Sequence, residues 1–441
     1  MFDLVVLGGG PAGYTAAIRA AKLGMSVALV EKSDVGGTCL NRGCIPTKSL
    51  LHSSSLYASR AEWAELGVNA AEVTFDENAA YARKDNIVAS LRSGVEKLLS
   101  GRGVTQVREC GVIRDAHTVE AGGERVEGRF LLIATGSHPA RLSVPGAELA
   151  LTSDEVLARP LDAGDVVIVG GGVIGCELAC YFADCGRQVT VLEYADRILP
   201  FFGKEISVQL ASALKRRGVR IRTSAQVTAI ERGGVVFSCG GREERAECVS
   251  VVTAAGRRAS TRGTGSENIG LPSERPVRTD GNMMTAASGV YAAGDVTGGI
   301  QLAHYAAACA VRAVEHMAGE EPSVNLSVVP SLVYTRPEIA VVGRTDGAAK
   351  TGKFLLGANG KSLINGSNRG FIKVYCDDKD VICGAELFGD GVTEIVGELA
   401  LAVSRGLSAG QLASVIHAHP TVYESVAEAC EDVYGLATHK A

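Results

Sequence analysis

The hydrophobic pattern opens on a short apolar run, Phe2 to Leu7, which breaks at once into Gly8-Gly9-Gly10-Pro11-Ala12-Gly13. Apolar positions then recur at helical spacing from Tyr14 to Leu23. Gly24 interrupts them, and a second run, Val27 to Val30, ends on Glu31. This predicts strand, turn, helix and strand within about thirty residues. The pattern returns later. Val166 to Val169 leads into Gly170-Gly171-Gly172-Val173-Ile174-Gly175, a helical stretch to Asp184, then Gly186 and a strand Val189 to Leu192 that ends on Glu193. Gly8 to Glu31 is 23 residues, and so is Gly170 to Glu193.

A single G-x-G-x-x-G is a weak signal, but two copies at one spacing from an acid are a strong one. The first glycine makes the tight turn, the second lets backbone approach a pyrophosphate, and the third lets helix pack on strand. The helix N-terminus then faces the phosphates with its partial positive charge. Pro11 suits a first helical turn, where its missing N–H is no loss. Two dinucleotides in one chain suggest electron transfer between them.

Further apolar runs end on small residues: Phe130 to Ile133 before Ala134-Thr135-Gly136, Val249 to Thr253 before Ala254-Ala255-Gly256, and Val290 to Ala293 before Gly294-Asp295. The stretch around Ala116 to Glu120 predicts a β-meander. After Pro330 the pattern changes to strands (Phe371 to Tyr375, Val381 to Phe388) and helices (Val392 to Arg405, Tyr423 to Tyr434). That predicts a C-terminal α+β domain.

Composition narrows the picture. A length of 441 residues suits about three domains. Glycine, at 54 residues, is well above the usual share of about 7% and has no collagen period. A net charge of −5, 5% aromatics and the single Trp63 argue against a nucleic-acid partner. The longest apolar run, Val166 to Cys176, is far short of the ~20 residues a membrane span needs. No secretory signal follows Met1. With twelve cysteines, that points to reduced thiols and a cytoplasmic protein.

One cysteine pair stands apart. Cys39 and Cys44 lie five apart in Gly36-Gly37-Thr38-Cys39-Leu40-Asn41-Arg42-Gly43-Cys44-Ile45-Pro46-Thr47-Lys48. A regular helix favours neighbours at three and four, so bridging them needs a distorted turn, which Gly43 and Pro46 permit. Closing so short a loop stabilises by only about 2 kcal/mol, so a redox role explains the pair better than a structural one. Zinc would want two more ligands at short spacing, and none is nearby; no metal is expected. The other ten cysteines read as small core residues. His52, His117, His138, His304, His316 and His439 read as satisfied surface or core histidines.

The Gly36 to Lys48 run resembles the active-site signature of the FAD-dependent pyridine-nucleotide disulfide oxidoreductases, and among them is closest to the dihydrolipoyl dehydrogenases. His417-Ala418-His419-Pro420-Thr421-Val422-Tyr423-Glu424 is similar to that family's catalytic-base motif. Tyr334-Thr335-Arg336-Pro337-Glu338 is similar to its interface signature. The resemblance implies an α/β fold of two Rossmann-like dinucleotide-binding domains, one for FAD and one for NAD, plus a C-terminal α+β dimerisation domain. The expected layout is 1–145 and 265–325 for FAD, 146–264 for NAD, and 326–441 for dimerisation.

By the same resemblance Gly8, Gly10, Gly13, Glu31, Lys32, Thr38, Lys48, Gly111, Thr135, Gly136, Asp295 and Ala303 hold FAD. Gly170, Gly172, Val173, Ile174, Gly175, Glu193, Val227 and Gly256 hold NAD. Cys44 faces the flavin, Cys39 exchanges with the substrate disulfide, and His419, oriented by Glu424, is the acid–base acting on a partner subunit's cysteines. Lys48 and Glu177 match a pair that sits by the flavin where the nicotinamide stacks. The implied partners are a second copy of the chain and the lipoyl domain of a 2-oxoacid dehydrogenase or glycine-cleavage complex.

Glu193 bears on the nicotinamide. It would accept hydrogen bonds from a ribose 2′-OH and repel a 2′-phosphate, by about 4 kcal/mol per unit charge at ~4 Å. No arginine cluster follows it, so NAD is expected. Val173 stands where glutathione reductases tend to carry a tyrosine, and Cys430 lacks the neighbouring cysteine of mercuric reductases. One departure is plain: the family's Gly-Arg-x-Pro-Asn run reads Gly256-Arg257-Arg258-Ala259-Ser260 here. Two other readings stay open, another disulfide reductase or NADH oxidase of the family, and a flavin-loaded docking subunit.

Overall fold

Phe2–Leu7 and Val27–Val30 form the adjacent parallel strands that their apolar runs predict, with Leu4 opposite Val27 and Leu7 opposite Val30. The computed structural model describes residues 1–440. Its residues gather into two units. The first takes Met1–Ser143, Leu151–Asp162 and Val252–Leu326, and the second takes Val144–Ala150, Ala163–Val251 and the chain from Ser327 onward.

In the first unit a sheet runs in the order Thr105–Val107, Val27–Val30, Phe2–Leu7, Glu124–Ile133, Thr118–Ala121, Gly111–Asp115, and Val290–Ala292 also pairs with Glu124–Ile133. Glu124–Ile133 changes character along its length. Its alternating first half pairs antiparallel with Thr118–Ala121. Its continuous apolar half, Phe130 to Ile133, pairs parallel with Phe2–Leu7 and Val290–Ala292. That matches sequence to environment, because a parallel strand covered on both faces reads as an unbroken apolar run. The meander expected around Ala116 to Glu120 is therefore present, and its last strand is also the central strand.

Helices Pro11–Lys22 and Ala303–Ala318 share one face of this sheet. Ala12, Ala16, Ala17 and Ala20 meet Ala306, Ala310 and Ala313 in the same buried cluster, and such small side chains let helices approach closely. Beneath them Glu315, 1% exposed at its side chain, accepts from Arg19 at 2.6 Å and from the Ser323 hydroxyl and N–H at 2.6 and 2.9 Å. Burial works against its charge, but Ser323 and Arg19 outweigh it and hold the carboxyl below its ordinary value of 4.5. Its contribution to stability is therefore present above 4.5 and lost as the pH falls through the lowered value. We expect Glu315→Gln to cost about 2 kcal/mol, since Arg19 keeps partial contact with water. Thermal unfolding of the two proteins at neutral pH and at pH about 4 checks this: the gap should narrow in acid.

The long helix Glu77–Gly101 begins at Asp76, whose side chain accepts from the Ala79 N–H at 3.0 Å. Tyr81 and buried Lys84 donate to the carbonyls of Val156 and Leu157 at 2.8 and 2.9 Å. They anchor the short helix Ser153–Ala158, which opens on a Thr152/Glu155 capping box.

The second unit carries the repeated pattern. Val166–Val169, Val189–Leu192 and Arg220–Arg222 pair in parallel, and Val173–Asp184 is the intervening helix. A three-stranded meander, Ala225–Glu231, Gly234–Cys239 and Arg242–Glu247, follows. The C-terminal part is an antiparallel sheet in the order Ser331–Val333, Glu338–Gly343, Ile382–Gly389, Phe371–Cys376, Lys350–Leu355. Helices Val392–Arg405 and Glu424–Asp432 close its core around Leu387, Leu399 and Val426. No helix among the described residues is long and apolar enough to cross a membrane.

Candidate redox and dinucleotide sites

The two glycine turns are built by the same set of bonds. Gly8 N–H donates to Val30 O and Gly170 N–H to Leu192 O, both at 2.8 Å, which closes each turn against the next strand. Gly9 N–H donates to Glu31 Oε2 and Gly171 N–H to Glu193 Oε2, both at 2.6 Å. The other carboxylate oxygen accepts from an N–H two residues on, Ser33 at 2.8 Å and Ala195 at 2.6 Å. The carbonyls of Gly9 and Gly171 accept from Gly36 and Leu199, both at 2.8 Å. The 23-residue spacing is thus the chain length needed to bring the acid back under the second glycine.

Close approach explains the third glycine. A Cβ on Gly13 would lie 1.8 Å from Gly8 O, and one on Gly175 would lie 1.9 Å from Gly170 O. Both helices start on a glycine with no side-chain cap, which leaves their N–H groups for another acceptor. That donor set fits the pyrophosphate of a dinucleotide in each turn.

The cysteine pair sits on the first of these turns. Cys39 lies in the short helix Gly37–Arg42, and Cys44 opens Cys44–Ala58. Gly43, at φ −142° and ψ −105°, breaks the helix between them, which is the distortion that the five-residue spacing demands. A Cβ on Gly37 would come within 2.5 Å of Gly10 Cα, and Gly36 N–H donates to Gly9 O. The pair is thereby held against the cradle. Both residues are half-buried thiols. The hydrogen bond with Cys44, then burial, push the Cys39 thiol well above its ordinary range, against an opposing pull from Lys48.

In the second unit His419 Nδ1 lies 2.8 Å from Glu424 Oε1. Glu424 Oε2 accepts the Thr421 N–H at 2.8 Å. The ring is 78% exposed at its side chain, so Nε2 is open to an incoming group. Burial works against the Glu424 charge, but the Thr421 N–H and His419 outweigh it and hold the carboxyl low. His417 is buried against Glu398, at 2.9 Å.

Residues 2–310 match the family described as pyridine nucleotide-disulphide oxidoreductase, and residues 329–430 match its dimerisation domain. The chain belongs to this family. Dihydrolipoyl dehydrogenase 3 of Pseudomonas aeruginosa is 39% identical over 463 residues, covering 99% of this chain and 98% of that protein. Dihydrolipoyl dehydrogenase of Bacillus subtilis is 37% identical over 471 residues, covering 99% of each. Among solved structures, LpdA from Mycobacterium tuberculosis aligns with a TM-score of 0.89 at 28% identity, over 97% of this chain and 98% of that one. The HOCl-induced flavoprotein disulfide reductase RclA from Escherichia coli aligns at 0.86 and 27%, over 97% and 99%. The family uses FAD and a pyridine nucleotide.

Within this pyridine nucleotide-disulphide oxidoreductase the remaining motif residues fall as follows. Lys48 lies one helical turn beyond Cys44, and Lys32 is exposed beside Glu31. Gly111 opens Gly111–Asp115 and Ala303 opens Ala303–Ala318. Thr135 Oγ1 donates to Ser260 O at 2.7 Å, and Asp295 accepts from Ser137 Oγ at 2.5 Å. All of these belong to the first unit, as does Gly256, whose carbonyl accepts from Ala140 at 2.9 Å. Val227, on Ala225–Glu231, and Glu177 belong to the second. Glu177, 3% exposed, accepts the Tyr334 N–H at 2.9 Å and so ties its helix to the Tyr334–Glu338 segment.

The Ala259-Ser260 departure is accommodated locally. Ser260 N–H donates to Gly136 O at 2.9 Å, and its hydroxyl meets His138 Nδ1 at 3.1 Å. These bonds close the ribbon of Ser137–Pro139 and Arg257–Ala259. Cys110 departs from expectation. It is exposed, whereas Cys176, Cys180, Cys248, Cys309, Cys376 and Cys430 are buried. The motifs also passed over Asp154, Ser137 and Arg257. Arg257 stands directly after Gly256 in the run that departs from the family pattern, which was the available signal.

Proposed function

We propose that this pyridine nucleotide-disulphide oxidoreductase is a dihydrolipoyl dehydrogenase, oxidising protein-bound dihydrolipoamide with NAD⁺. The observation that carries the reading is the Cys39–Cys44 pair, held by Gly36 and Gly37 on the first dinucleotide turn. Full-length relatives of that name, at 35–39% identity, support it. FAD would take the first turn, with Glu31, Thr135 and Asp295 around it, and NAD the second, with Glu193 and Val227. The expected layout, 1–145 and 265–325 for FAD, 146–264 for NAD and 326–441 for dimerisation, belongs to this proposal. Exposed Leu363, Ile364, Leu401 and Ile416 suit contact with a second copy.

The chain's own residues account for the thiol chemistry. With the pair oxidised, His419 of the partner subunit removes a proton from one thiol of dihydrolipoamide. The thiolate attacks Sγ of Cys39, forms a mixed disulfide and expels Cys44 as a thiolate. The second substrate thiol then attacks the substrate sulfur of the mixed disulfide, closes the lipoamide ring and gives its proton to Cys39, which leaves as a thiol. The electron pair of the broken S–S bond now rests on the two cysteines. FAD held in the first turn would supply the hydride chemistry that links this dithiol to a pyridine nucleotide. Glu424 holds the ring so that Nε2 faces outward, and Lys48 and Glu177 are proposed to shape the flavin side.

An anaerobic panel tests the reading: lipoamide, glutathione disulfide and mercuric ion, each with NADH and with NADPH, and a parallel run with oxygen. Turnover with lipoamide and NADH is expected to dominate. The likeness to RclA favours as second reading a reductase of another disulfide, and dominance of a different acceptor would replace the first. Glu193 gives a separate check. Glu193→Ala should raise NADPH affinity relative to NADH by about tenfold or more, since a repulsive carboxylate near the 2′-phosphate is gone. An unchanged ratio in direct binding would move discrimination elsewhere.

A further inference from the structure

Four polar side chains of the first unit close a ring around the helix that carries Cys39. Arg257, 12% exposed at its side chain, donates from Nε to Ser137 Oγ at 2.8 Å and from Nη2 to Ser137 O at 2.9 Å. The same Nη2 reaches Thr38 Oγ1 at 3.3 Å. Its Nη1 lies 3.8 Å from Asp154 Oδ1, and the other Asp154 oxygen lies 3.5 Å from Arg42 Nε. Thr38 and Arg42 stand near the two ends of Gly37–Arg42. The ring Thr38–Arg257–Asp154–Arg42 therefore grips this short helix at both ends. Ser137 extends it outward, because its hydroxyl also donates to Asp295 at 2.5 Å.

A helix of six residues is too short to hold its own geometry, and Gly43 removes support on its C-terminal side. Yet the distance between Cys39 and Cys44 must serve both thiol and disulfide, and a disulfide tolerates little error in Cβ separation. We propose that Arg257 and Asp154 are positioning residues for the Cys39–Cys44 pair, bracing its helix so that the backbone under the two cysteines stays in place while the S–S bond forms and breaks. The inference rests on reading the pair as redox-active, and not on which disulfide it exchanges with. Arginine suits this bracing role, because its planar fork meets Ser137, Thr38 and Asp154 in three directions at once, which a lysine ammonium on a flexible stem does not.

The test reads the pair directly in the flavin-loaded protein. Arg257→Gln, Arg257→Lys, Asp154→Asn and Thr38→Val are equilibrated in glutathione buffers, in which two protein thiols and one glutathione disulfide exchange for one protein disulfide and two glutathione thiols. The oxidised fraction comes from mass-resolved alkylation of Cys39 and Cys44. Arg257→Gln and Asp154→Asn should each weaken disulfide formation by about tenfold, with the double variant falling short of their product because both break one ring. Arg257→Lys should recover only part of the loss, and Thr38→Val should show a smaller one. Equilibrium constants within about twofold of the parent for Asp154→Asn and Thr38→Val would overturn the proposal, even if Arg257→Gln fails to fold. A fall in melting temperature alone, with the equilibrium unmoved, would make the ring purely structural and also overturn it. Lipoamide enters none of these readings, so failure of the substrate assignment leaves the result legible.

Discussion

Cys39→Ser removes lipoamide turnover and leaves the flavin in place. The serine hydroxyl forms no disulfide with Cys44, so the incoming thiolate finds no sulfur to attack, and the expected loss is about 10³-fold or more. Flavin retention follows from the geometry. The cradle is closed by the backbone of Gly8 and Gly9, by Glu31 and by the approach of Gly13 to Gly8. None of those bonds passes through Sγ. Purified variant would be compared with parent for flavin absorbance after gel filtration and for steady-state turnover. Lipoamide turnover within a few-fold of the parent would sink the assignment of Cys39, and with it the disulfide mechanism. Loss of flavin would show that the redox helix is part of the cradle.

His419→Gln should lower the rate of dihydrolipoamide oxidation by about 10²- to 10⁴-fold, the span that a positioned general base contributes. Reduction of the flavoprotein by NADH, which needs no substrate thiol, should stay near the parent rate. That contrast separates loss of proton transfer from general damage. Equal losses in both half-reactions would remove His419 from the base role. Glu424→Gln keeps a hydrogen-bond acceptor for the ring while removing the charge, and a smaller loss is expected. The pH window follows from the carboxyl itself. Its folded value lies below the ordinary 4.5, so the charged contact with His419 is intact above 4.5 and lost as the pH falls through the lowered value. A change of activity at neutral pH is then not the titration of Glu424.

Much of this arrangement was legible in the chain because it is local. Both glycine turns, their flanking strands and the returning acid lie within short windows, and Val27–Val30, Val166–Val169 and Val189–Leu192 carry the bounds their apolar runs predict. The break between Cys39 and Cys44 followed from a spacing no regular helix supports. Other elements left no such trace. Glu77–Gly101 buries only Ala80, Tyr81, Lys84, Val88 and Leu99 along 25 residues, too sparse a stripe for periodicity to mark. Arg242–Glu247 is charged at five of its six positions, since an edge strand facing water needs no apolar run. The bonds joining Arg257 to Thr38 and Ser137 span 219 and 120 residues, and no window contains both ends. The pairing of His138 with Ser260 was hidden for the same reason.

The first unit is drawn from three separate stretches, the last ending at Leu326. This sets a timetable for synthesis. Phe2–Leu7 leaves the ribosome among the earliest residues, but its neighbour Glu124–Ile133 gains the partner Val290–Ala292 only two thirds of the way along the chain. At about 5–20 residues per second, Glu124–Ile133 spends roughly 8–30 s with that apolar edge open. Two of the stretches that become the second unit, Val144–Ala150 and Ala163–Val251, emerge during that wait, and the third, from Ser327 onward, follows it. Slowing translation between Ile133 and Val290 should therefore lengthen the time the newborn chain exposes this apolar edge, read as a larger share of aggregated or protease-cut nascent protein.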